Sequence, residues 1–185
     1  MNYDFEEINK KVNIAIGVLL KKDSNLLKID VHERSITHKL AEYLQTQFPY
    51  WNVDCEYNRK GNAEKTIDSH SDCTEHKKQY RVFPDIIVHQ RRKNCNLLVI
   101  EVKKNTSTKK RTCDERKLKF FTSSKEYHYS YGLFIEFFDS LSVKVIGIKM
   151  ETNVRIKDWK YQRLLHYKSL TFEKSIFSSS QYNRV

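Results

Sequence analysis

Apolar residues recur at helical spacing from the start of the chain. Phe5, Ile8, Val12, Ala15, Ile16 and Leu19 share one face and predict an amphipathic helix over residues 4–21. Asp23-Ser24-Asn25 breaks it. Ile36, Leu40, Tyr43 and Leu44 form a second stripe, predicting a helix from about Asp30 to Phe48 that Pro49 ends. Asp30 followed by Glu33 has the form of a capping box at its start. The period then changes. Trp51 to Tyr57 alternates in part and predicts a strand, whereas Arg59 to Gln79 is polar and predicts a long loop. Val82–Val88 and Leu97–Lys103 are short apolar runs that predict two strands, joined by the basic turn Gln90–Asn94. Thr112 with Glu115 has the capping-box spacing and opens a helix to about Glu126, with Leu118 and Phe121 on its buried side. Tyr131–Phe138 and Val143–Lys149 predict a hairpin around Asp139-Ser140. Asp158–Lys168 predicts a short helix, and residues 175–185 a polar, Ser-rich flexible tail.

The central order is helix, strand, strand, strand, helix, strand. In the strand ending at Lys103, Leu97, Val99 and Glu101 point one way while Leu98, Ile100 and Val102 point the other. A sheet apolar on both sides is covered by helices on both sides, so the expected class is α/β with a central mixed sheet flanked by helices. With 185 residues the chain is expected to form one domain, residues 1–174, with its core at about 30–138. The helix over 4–21 lies outside that core order and offers a face for pairing two chains, so a homodimer is possible.

Charge narrows the partners. The formal net charge is +11, an excess that suits a polyanion and above all nucleic acid. Val12 to Leu20 is too short to span a bilayer and has no cleavage pattern, so no membrane association and a cytoplasmic location are expected. Cys55, Cys73, Cys95 and Cys113 lack CxxC spacing and are expected as free thiols. His70, Cys73 and His76 have metal-ligand steps but lack the second ligand pair of a structural zinc site. Only four glycines occur, and there is no phosphate-cradling loop and no GxSxG elbow.

The chemistry concentrates in the two central strands, which carry Asp85, Glu101 and Lys103. Acids and a lysine in buried strands are costly to keep unless they bind a cation or react. Glu101 and Lys103 project from one face, and Asp85 on the neighbouring strand reaches the same point. Two carboxylates give the hard oxygen environment that Mg2+ prefers. A nearby lysine can help position or deprotonate water, or steady a transition state. Glu56, Arg59 and Lys117 stand near the same sheet end as candidates for a distal ligand, a phosphate contact and a site-facing lysine. Lys104, Lys109, Lys110, Arg111, Lys119 and Arg91-Arg92-Lys93 are candidate phosphate contacts around it.

The segment Pro84-Asp85…Glu101-Val102-Lys103 resembles the signature of the PD-(D/E)XK, or restriction-endonuclease-like, nuclease superfamily, and the order of elements is similar to that family's αβββαβ core. The resemblance covers roughly residues 30–138. It implies metal ligation by Asp85 and Glu101, a catalytic role for Lys103, and Mg2+ or Mn2+ as cofactor. It further implies a metal-site role for Glu33, on the helix before the first core strand. The implied activity is a metal-dependent nuclease with DNA as the expected substrate and endonucleolytic action. The alternative is a catalytically silent nucleic-acid-binding or assembly module on the same fold.

Overall fold

The computed structural model describes residues 3–60, 63–68, 79–93, 95–107, 111–123, 125–138, 142–149 and 161–166. Helix α1 (Phe5–Lys22) starts at a capping box: Glu7 N donates to Asp4 Oδ1 at 2.8 Å, and Asp4 N to Glu7 Oε2 at 3.0 Å. Its stripe of Ile8, Val12, Ala15, Ile16 and Leu19 is fully buried in the chain's own core. The face that sequence offered for pairing two chains is therefore covered from within. A five-residue helix, α2 (Ser24–Lys28), stands where a plain break was expected.

Helix α3 (Glu33–Gln47) begins later than predicted. Asp30 sits at φ 53°, in the left-handed region that Asp tolerates, and so lies outside the helix. His32 caps instead, its Nδ1 accepting from Arg34 N at 3.2 Å. The Asp30/Glu33 capping box is not formed.

Strand β1 (Asn52–Cys55) follows. The expected long loop then contains two small hairpins, β2 (Arg59–Lys60) with β3 (Ala63–Glu64) and β4 (Thr66–Asp68) with β5 (Gln79–Arg81). Buried Lys65 and the hydroxyls of Tyr127 and Tyr129 pin this stretch to the body, supplying partners that local polarity does not reveal. Strands β6 (Ile86–Gln90) and β7 (Cys95–Lys104), helix α4 (Arg111–Ser123), and strands β8 (Tyr131–Phe137), β9 (Ser142–Lys149) and β10 (Tyr161–His166) complete the order. Thr112 is already helical, so it is not the cap of α4.

One six-stranded mixed sheet runs β1-β6-β7-β8-β9-β10. Only β7 and β8 are parallel, joined by the α4 crossover. β10 corrects the predicted helix around Asp158–Lys168: Tyr161–His166 pairs along β9, and satisfying an open sheet edge outweighs a weak helical preference.

The two faces carry separate cores. Ile86, Val88, Leu98, Ile100 and Val102 pack with α1 and α3, while Ile87 and Val99 pack with Leu118 and Phe121 of α4 and with Tyr127, Tyr129 and Phe134. The alternation holds from Leu98 onward. Leu97 joins the α1/α3 side against expectation, because a bulge at Val88/His89 leaves it without a register partner. Among the described residues no helix is long and apolar enough to cross a membrane. Cys55 and Cys95 are free thiols, but Cys113 is disulfide-bonded, contrary to expectation. Such bonds depend on spatial approach, which spacing along the chain does not report. His70, Cys73, His76, Lys109, Lys110, the Asp139-Ser140 turn and residues 175–185 lie outside the described residues.

Candidate active site

The register of β6 on β7 pairs Ile86 with Ile100 and Ile87 with Val99. Continued by one residue, it sets Asp85 opposite Glu101. Strand parity puts both on the α4 side, with Lys103 two residues further on. β7 outruns β6 at this end, so the amides of Val102 and Lys104 have no strand partner there. Acids fill the gap: Asp85 Oδ2 accepts from Val102 N at 2.7 Å, and Glu33 Oε2 from Lys104 N at 3.0 Å. This brings Glu33, at the first turn of α3, to the same end of the sheet as Asp85 and Glu101.

From above, α4 lays Asp114 and Lys117 over β7. Lys117 Nζ lies 2.5 Å from Glu101 Oε2 and 3.2 Å from Asp114 Oδ1. Lys103 Nζ lies 2.5 Å from Asp114 Oδ2, so that oxygen has an ionic partner although it makes no well-angled hydrogen bond. Glu101 and Lys103 are buried, 1% and 3% exposed. Glu101 Oε1 is buried with no hydrogen-bond partner among the described residues. A native interior rarely leaves such an oxygen unpaired, and the exceptions call for a reason such as a ligand.

The electrostatics follow from this burial. Desolvation pushes Asp85 up to about 6, against the Val102 N–H and the Lys117 charge, with Glu33 and Asp114 adding to the rise. Burial raises Glu101 above the ordinary carboxylate range, and the Lys117 ammonium opposes it. For Lys117, burial alone would favour the neutral amine. The charges of Glu101 and Asp114 outweigh that and hold its ammonium above the usual lysine value. Lys117 therefore keeps its proton beside Glu101.

The other predicted residues divide. Lys117 faces the site. Lys104 turns away, its Nζ held by Asp30 Oδ1 at 2.6 Å and Val31 O at 2.5 Å. Arg111 pairs with Glu136, the β8 residue beside Lys103 in register, at 2.5 Å. Arg59 lies 3.7 Å from Glu64, and Glu56 is held by Arg34 at 2.7 Å on the surface. Arg91 pairs with Asp54, away from the carboxylates. Asp114 is the residue that sequence reasoning missed. Its signal was present: Asp114, Lys117, Leu118 and Phe121 follow i, i+3, i+4, i+7, so the acid lies on the stripe already read as buried.

Among the described residues no three His, Cys, Asp or Glu side chains are grouped so as to hold a metal ion. Asp85 and Glu101 nevertheless suit a hard cation, since both are oxygen donors and Glu101 keeps one oxygen unpaired. No family model matches the chain, and no curated protein matches it.

Proposed function

We propose that this chain is a divalent-metal-dependent nuclease with a restriction-endonuclease-like core, acting on DNA as an endonuclease. The observation that carries the reading is the register pair Asp85 and Glu101, with buried Lys103 beside it and one Glu101 oxygen left unpaired. With the two small hairpins β2–β5 set aside, the order α3, β1, β6, β7, α4, β8 is αβββαβ, and this order and the net charge of +11 support it. Asp85 and Glu101 would hold Mg2+ or Mn2+, with Glu33 at the rim. A cation bound there would orient and acidify a water and neutralise charge on a phosphate. The chain supplies the rest: Lys103, fixed by Asp114, presents a cation at the reacting phosphate, and the apolar sheet beneath keeps the carboxylates poorly hydrated.

The second reading is a silent nucleic-acid-binding or assembly module. The Glu101–Lys117 and Lys103–Asp114 pairs favour it, since both chemical groups already have internal partners. The deciding experiment incubates purified protein with supercoiled plasmid, linear duplex, single-stranded DNA and RNA, in Mg2+, Mn2+ or EDTA, beside Asp85→Ala. Cleavage that needs metal and is lost in the variant is the expected result. Salt-dependent binding with no cleavage of any substrate would replace the nuclease reading with the second.

A further inference from the structure

Lys117 is placed in an unusual way for a helical lysine. Its side chain is only 20% exposed, and it reaches down from α4 to a carboxylate that is itself 2% exposed. Glu101 Oε2 holds this ammonium at 2.5 Å while Oε1 holds nothing among the described residues. A carboxylate that is to ligate a hard dication cannot leave an ammonium on the same group, because two cations within a few ångströms repel strongly in a poorly hydrated pocket. Asp114 Oδ1, 3.2 Å from the same Nζ, lies one helical turn before Lys117 and offers the amine a second position on its own helix.

Resting on the nuclease reading, we propose that Lys117 is an internal counter-ion that a divalent cation must displace from Glu101, with Asp114 taking up the released ammonium. Cation entry is then an exchange of one positive charge for another rather than the filling of a bare acidic pocket. Binding is weaker than two buried carboxylates alone would give. The loss of the short Glu101 contact leaves Lys117 held by Asp114 alone.

The test uses wild-type protein and two parallel readings. Calorimetry with Mg2+ records whether the cation binds. Limited reductive methylation, read lysine by lysine by mass spectrometry, records how tightly each amine is held with and without saturating Mg2+. The expected result is that Mg2+ raises labelling of Lys117 by at least about threefold, as a close charge partner is lost. Lys11, bonded to the Gln47 carbonyl away from the site, should not change. Glu101→Gln should label strongly at Lys117 in both conditions and take up no Mg2+. Mg2+ binding by the wild type with unchanged Lys117 labelling overturns the exchange and leaves the nuclease reading standing. No binding of either Mg2+ or Mn2+, by calorimetry and by equilibrium dialysis, overturns both.

Discussion

Asp54, His89 and Arg91 form a polar cluster four residues along β6 from Asp85, with His89 buried, Asp54 half-buried and Arg91 exposed. His89 Nε2 lies 2.7 Å from Asp54 Oδ2, and Arg91 Nε donates to the same oxygen at 2.9 Å. Beside it, Lys65 Nζ donates to Tyr57 O at 3.0 Å and to Tyr129 Oη at 2.9 Å, over the faces of both rings. Burial would raise Asp54, but Arg91 and His89 hold it below the usual carboxylate value. The cluster at the Glu101 end is built from the same kinds of group with the opposite balance. Glu33, Asp85, Glu101 and Asp114 there face Lys103 and Lys117, and Glu101 Oε1 has no partner among the described residues. The Asp54 cluster has a counterpart for its acid and reads as scaffold. The Glu101 cluster has more acid than base, which suits the proposed cation.

The comparison predicts opposite results for substitutions at its two ends. The largest loss that still leaves a measurable rate should come from Lys103→Met, which removes the buried cation beside the carboxylates. Single-turnover cleavage should fall by about 10²–10⁴-fold. An unchanged rate would detach the chemistry from this end of the sheet. Asp85→Asn should separate function from stability. In the folded chain Asp85 titrates near 6, against an ordinary value of 3.8. The folded state thus holds this proton more tightly than the unfolded chain does. Stability is lost as pH rises from about 4 to 6 and stays lower above that window. Asparagine keeps an oxygen for the Val102 amide and escapes the loss. The variant should be about 2–3 kcal/mol more stable than wild type at pH 7, with no advantage at pH 3.5, while cleavage disappears. Urea melts at the two pH values measure this. Equal melts at pH 7 would mean that Asp85 carries no ionisation cost.

The outline of this difference was legible in the sequence. Asp85, Glu101 and Lys103 stand out because acids and a lysine interrupt apolar strands, and the helical stripes of Ile36–Leu44 and Leu118–Phe121 locate the covering layers. What escaped depends on contacts distant along the chain. Thr66 and Lys65 look like polar loop residues until Tyr127 and Tyr129 meet them from more than sixty positions away. Asp30 looks like a cap because its spacing to Glu33 is right, yet Lys104 draws it into a different turn. Lys104 and Arg111 look like phosphate contacts because sequence shows their charge and not Asp30 or Glu136, which neutralise it. Tyr161–His166 forms a strand only because β9 offers it an edge.

Smaller substitutions sharpen the contrast. Asp54→Ala strips His89 and Arg91 of their shared acceptor and should cost about 1–3 kcal/mol in a denaturant melt. Because it touches scaffold alone, the cleavage rate of the folded variant should stay within about twofold of wild type, far below the loss assigned to Lys103. A hundredfold loss with an unaltered melt would move the Asp54 cluster into the site.

The smallest effect should come from Glu56→Gln. Glu56 follows β1 and its backbone amide donates to Asp85 O at 3.2 Å, which places it next to the carboxylate cluster in the sheet. By position it could serve as a further ligand. Its side chain says otherwise: it is 41% exposed and held by Arg34, itself 75% exposed. A pair this open to water contributes under about 1 kcal/mol. Glutamine keeps the shape and removes only the charge, so the melt should shift by a few tenths of a kcal/mol at most. The Mg2+ concentration giving half-maximal cleavage should also stay where it is in wild type. If that midpoint rises several-fold while the melt is unmoved, Glu56 has left Arg34 to help hold the cation. The boundary of the acid-rich cluster would then extend across β6 to the sheet edge at β1.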